Sequence, residues 1–251
     1  MNNSGCPRVV VIFLLCLLCM THATFIVTPR SSSLVLLSRL SATETTNFSV
    51  ESIDDCLVVL NEAVATTAKD PDQVILALES LERLMRQKVK VEGESASQQV
   101  LDQLDGHWRL IFTTGTAKTQ QKLGRINYFP LKAVQSFQTK DMTISNGIYV
   151  GDFCLIKFFG DFDFNLKKKK LEFDFDLIKL FGFVNIPLKQ GDAAQLGASS
   201  GLGSESNVEN AKRDKQAFFN WISADATIAT ARGGGGGLAL WQRTVDPGVE
   251  R

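Results

Sequence analysis

The stretch from Asp161 to Leu177 leaves this chain few choices. Phe162, Phe164 and Leu166 alternate with Asp161, Asp163 and Asn165. After Lys167 to Lys170, Leu171, Phe173, Phe175 and Leu177 alternate with Glu172, Asp174 and Asp176. Period-two alternation puts successive side chains on opposite faces of a strand. A hairpin with an acidic face in water and an apolar face that must be covered follows. An isolated hairpin is marginal in water, so the sheet has to continue. His107–Thr113, Gly147–Phe158, Phe218–Ala224, Thr227–Arg232 and Leu238–Arg243 read as further strands. Such a series predicts a small antiparallel barrel or a strongly curved sheet, closure being the way to remove exposed edges. A barrel of about eight strands is just wide enough for side chains or one small ligand.

Upstream the period is helical. Ser52 caps a helix with Asp54 and Asp55 in its first turn and Ile53, Leu57, Leu60 and Val64 along one face. Asp70-Pro71 opens a second helix, in which Val74, Leu78, Leu81 and Met85 form an apolar stripe opposite Glu79, Glu82, Arg83 and Arg86. A third helix is expected from Ser97 to Leu104. The chain is therefore read as α+β, with helices over 52–104 and the sheet over 106–245. The Gly, Ser, Asn and Ala-rich segment 190–213 reads as a long mobile loop.

Two leader segments precede this domain. Residues 1–23, with Arg8, the apolar run Val9–Met20 and small residues at Thr21 and Ala23, read as a signal peptide. Residues 24–50 are rich in Ser and Thr and hold a single acid, Glu44, the composition of a transit segment. Signal plus transit segment resembles the bipartite leader of algae with complex plastids.

Composition narrows the chemistry. With 27 basic and 27 acidic residues the chain lacks the basic surplus of a nucleic-acid binder. Two His exclude a His-rich metal site, and Cys56 and Cys154, all that follow the leader, form neither a disulfide framework nor a zinc motif. Gly233–Gly237 lacks the Lys-Ser/Thr of a phosphate loop and reads as a flexible hairpin turn. Asp161/Asp163 and Asp174/Asp176 belong to the wet strand face. His107 has no Ser or Cys partner in sequence. No catalytic constellation, cofactor or metal is expected. Phe is abundant, 17 against 3 Trp and 2 Tyr, which points to binding rather than reaction. Lys167, Lys168, Lys169 and Lys170 form either a solvated turn or a membrane-facing patch.

The segment Leu104-Asp105-Gly106-His107-Trp108-Arg109-Leu110-Ile111-Phe112-Thr113-Thr114 resembles the opening strand of the plastid lipid-associated protein (PAP/fibrillin) family. Phe164–Phe183 resembles its central hairpin, and Trp221–Asp225, Arg232-Gly233 and Leu238–Arg243 its closing block. The likeness runs from about Ile53 to Arg243. It implies short helices packed on a lipocalin-like antiparallel barrel, in a plastid, peripheral to thylakoids or plastoglobules. It also implies non-enzymatic binding or carriage of a lipophilic molecule: prenylquinone, carotenoid or acyl lipid. The alternative is a structural coat on a membrane or lipid-droplet surface, its barrel filled by its own side chains. Expected cavity-lining residues are Trp108, Leu110, Phe112, Phe162, Phe164, Phe173, Phe175, Trp221 and Trp241. Asp225 and Arg232, matched to the family's closing block, are expected to pair, either closing the barrel or fixing a ligand head group.

Overall fold

Local capping starts each of the first two helices. In the computed structural model, which describes residues 50–199, 205–213 and 215–246, helix α1 spans Ile53–Thr66. The Ser52 hydroxyl accepts from the Asp55 amide at 3.1 Å while the Asp55 carboxylate accepts from the Ser52 amide at 3.0 Å, a reciprocal capping box. Helix α2, Pro71–Glu92, is capped by Asp70 with proline in its first turn. Gly93, at φ +67°, turns the chain into α3, Glu94–Leu104. The two leader segments lie outside the described residues, apart from Val50.

From Gly106 the chain builds a closed barrel. Its strands are β1 (Gly106–Thr113), β3 (Lys132–Gln138), β4 (Thr143–Val150), β5 (Phe153–Asn165), β6 (Lys170–Leu180), β8 (Ala217–Ala224), β9 (Ile228–Gly233) and β10 (Leu238–Thr244). Each is antiparallel to the next, and β10 pairs back onto β1. Two short strands, β2 (Asn127–Tyr128) and β7 (Val184–Pro187), add to β1 and β6. The central hairpin pairs Phe162 with Phe173 and Phe164 with Leu171, the partnership that alternation requires. Strand β3 carries no such signature, because Val134, Gln135, Ser136 and Phe137 are all buried on a strand covered on both faces. Helix α4 (Ala117–Leu123) is likewise unannounced. The segment expected as a loop forms two short helices, α5 (Asp192–Ser199) and α6 (Glu205–Ala211).

Two apolar cores result. The outer one packs Leu60, Val64, Val74, Leu78, Leu81 and Met85 of α1 and α2 against Ile111, Phe112, Ile222, Ile228, Leu238 and Leu240 on the outer barrel wall. The inner one fills part of the barrel and takes in Val100 and Leu104 of α3. Alternating strand directions define two poles. At one, β1, β4, β6 and β9 end and β3, β5, β8 and β10 begin. The other is closed by α3 and by Arg243, which donates to the carbonyls of Asp105 and Gln103.

Candidate ligand-binding cavity

The barrel is solid at its closed pole and hollow toward the other. The solid half is aromatic: Phe137 meets Phe162 and Trp221 edge-on at 5.8 and 5.6 Å. Trp108, fully buried, donates its indole N–H to the Leu104 carbonyl at 2.8 Å, and the Arg243 guanidinium lies 4.2 Å over its ring. Above this floor lies a cavity of about 380 Å³. Its wall includes Leu110, Phe158, Phe173, Phe175, Phe219 and Trp241. Space remains because the residues between these rings are small: Ala133, Gly147, Ala217 and Ala239. Helices α5 and α6, the Thr116–Thr119 turn and the Gly233–Gly237 turn surround the mouth.

The lining also carries polar side chains, including Thr113, Gln135, Asn146, Asp174, Asn207 and Lys215, and two of these stand together. Gln135 and Asn146 pair directly across β3 and β4, and Gln135 pairs with inward-facing Trp108 on its other side. Residues opposite each other in a ladder share a face, so both amides look into the barrel. Gln135 is 5% exposed and its amide borders the cavity, where Asn207 Oδ1 is buried with no hydrogen-bond partner among the described residues. A wall amide covered by a ligand without a hydrogen bond costs about 1–3 kcal/mol, so a ligand oxygen seated on Gln135 and Asn146 is favoured over a hydrocarbon there.

Of the residues expected to line the cavity, Leu110, Phe173, Phe175 and Trp241 do so. Trp108, Phe162 and Trp221 sit below in the filled half, and half-buried Phe164 packs against that same core. Phe112 is outside altogether. The β1–β10 register slips between Leu110 and Phe112, and this bulge turns Phe112 toward the helices, where it meets Tyr128 edge-on at 5.3 Å. Phe158 and Phe219 fall in anticipated strands and were recoverable by extending the alternation. Gln135 and Asn146 were not, since amides on an inward face contradict the binary pattern.

Asp225 and Arg232 do not pair. Asp225 accepts from the Thr227 amide, the Thr227 hydroxyl and the Ile228 amide at 2.7–2.9 Å, shaping the β8–β9 turn. Arg232 forks onto Glu82 of α2, with Nε 3.1 Å from both carboxylate oxygens and Nη2 at 2.6 Å from one, and donates to the Gly236 carbonyl. Burial pushes the Glu82 carboxyl up, but hydrogen bonds from Arg232 and Arg86 outweigh it and hold the group below its ordinary value. The expected polar helix face thus includes a residue that clamps α2 to the barrel. The five-glycine turn is pinned as well: the Gly233 amide donates to the Gly237 carbonyl at 2.9 Å and the Ala117 amide to Gly235 at 3.2 Å.

The four-lysine turn is not a uniform solvated patch. It lies at the closed pole, with Lys167 and Lys168 exposed, whereas Lys170 pairs with Glu172 at 2.6 Å. Lys169 is 7% exposed and donates to the Ile222 carbonyl at 3.0 Å. Burial, then the nearby Arg86, bring its amine down to about 8 from 10.5. Between those values the unfolded chain binds a proton the folded chain does not, so stability should rise with pH across that window. Lys169→Met should lack this rise, which urea midpoints of both proteins from neutral to alkaline pH would measure. An unchanged difference between them across the window would refute it.

The structure also finds a partner for His107: its Nδ1 lies 2.7 Å from the Ser136 hydroxyl across β1 and β3. The pair faces away from the cavity, since flanking Trp108, Gln135 and Phe137 face in. Among the described residues no group of three His, Cys, Asp or Glu could hold a metal ion.

A family model described as PAP_fibrillin matches residues 55–240. No curated protein and no solved structure matches the chain.

Proposed function

Since the chain belongs to the PAP_fibrillin family, whose fold fits association with lipids, we propose that it binds or carries a lipophilic molecule and catalyses no reaction on it. One observation carries the reading: an apolar cavity of about 380 Å³ with two adjacent amides in its wall. Ligand sites are mostly apolar with a few placed polar groups that orient the ligand. Each amide offers both donors and an acceptor, suited to carbonyl or hydroxyl oxygens. A neutral oxygen-bearing head seated on Gln135 and Asn146, with its tail leaving past α5 and α6, favours a prenylquinone or another oxygenated lipid over a pure hydrocarbon. The site of action is a plastid, at thylakoid or plastoglobule surfaces. No helix among the described residues is long and apolar enough to cross a membrane.

The coat reading draws support from the filled half of the barrel, but the cavity above it favours a carrier. Mass spectrometry of the natively purified protein should find an oxygenated lipid in equimolar complex, and added quinone should quench tryptophan fluorescence through Trp241. A lipid-free protein whose fluorescence no quinone, carotenoid or acyl lipid alters would sink the carrier reading and leave the coat.

A further inference from the structure

We propose that the protein docks on an anionic lipid surface through the β4–β5 and β6–β7 turns, so that the cavity mouth faces the lipid; this rests on the lipid-binding reading above. Both turns lie at the pole where the cavity opens, because β4 and β6 end there and β5 begins there. Their tips are apolar and exposed: Phe153 by 53% and Phe183 by 75%, with Val150 and Val184 beside them. Phe181 joins the two turns, its ring 6.5 Å from Phe153 and 6.4 Å from Phe183. Large exposed rings gathered on adjacent turns mark an interaction surface rather than scattered surface residues.

Charge says which surface. Lys157 and Lys179 stand directly opposite each other on β5 and β6, just behind these tips. Both reach over the Phe159 ring, at 5.2 and 5.5 Å, and neither has a carboxylate partner among the described residues. Like charges directly opposite in a sheet destabilise it, and anionic head groups would relieve that repulsion while the rings enter the apolar layer. The acid at the tip, Asp152, is already engaged by Lys132 at 3.5 Å. A rim of aromatic tips backed by two cations with no carboxylate partner among the described residues matches a negatively charged lipid–water boundary. It also lets a ligand pass between lipid and barrel with little exposure to water.

The test is hydrogen–deuterium exchange of the full chain with vesicles of phosphatidylcholine alone or mixed with phosphatidylglycerol. Mixed vesicles should protect residues 150–153 and 181–184, whatever the leader does. Phe153→Ser with Phe183→Ser should weaken vesicle binding about tenfold or more. Lys157→Gln with Lys179→Gln should erase the preference for anionic vesicles, and Lys167→Gln with Lys168→Gln, at the closed pole, should change nothing. Phe153, Phe183, Lys167 and Lys168 are exposed and Lys157 and Lys179 half-buried, and unchanged melting temperatures would confirm folding. Absence of protection at the two turns, protection at 166–169 in its place, or burial of the tips by a second copy of the chain without vesicles would each overturn the proposal. Quinone quenching on the same variants separates the two readings. Intact quenching without docking sinks the docking surface alone, and docking without quenching sinks the cavity reading alone.

Discussion

Gly160→Ala is expected to cost about 3 kcal/mol or more, at the upper end of what overpacking does, and to lower the melting temperature by roughly 6–12 °C for a domain of this size. Gly160 sits where the β5–β6 ladder slips, two residues of β6 opposing one of β5. A Cβ there would lie 1.9 Å from the Asp174 carbonyl oxygen and 2.8 Å from the Phe175 Cα. Neither neighbour is a side-chain end that can swing away; both belong to the partner backbone, which holds Phe173 and Phe175 in the cavity wall. Relief therefore means opening the longest hairpin of the barrel. Thermal and urea unfolding of the variant measure the effect. A melting temperature within a degree or two of the parent would show that the two backbones do not approach this closely.

Gln135→Leu combined with Asn146→Leu should separate head-group recognition from apolar fit. Each lost hydrogen bond is worth about 1–1.5 kcal/mol, so a quinone or other carbonyl lipid should bind roughly a hundredfold more weakly. A hydrocarbon of the same shape should bind as well as before or better. The ligand-free protein should not lose stability. Equal losses for both ligands in a fluorescence titration would mean that the leucines reshaped the cavity, and the amides would lose their assigned role.

The sequence alone determined whatever is written in neighbouring residues. The alternation of Phe with acids specified the β5–β6 hairpin, because a strand's faces repeat every two residues and no partner is needed to read them. The caps Ser52 and Asp70 and the stripe Val74, Leu78, Leu81 and Met85 set the first two helices in the same local way, and the ordered motifs from Leu104 to Arg243 carried the family resemblance. What tertiary structure alone decided depends on register between distant segments. Strand β3 is buried on both faces and so carries no period, and it was invisible until β1 and β4 flanked it. One slip between Leu110 and Phe112 moved Phe112 from the barrel interior to the helical layer, which no run of residues announces. Arg232 found Glu82, 150 positions away, in place of nearby Asp225, because barrel curvature brings α2 over β9 while Asp225 is spent on its own turn. Lys169 lies buried between two exposed-looking neighbours for the same reason: the fold covers it. The cavity is the furthest from the sequence. It is the space that eight strands leave once their rings have packed at one pole, and neither its volume nor the two amides in its wall belongs to any single segment.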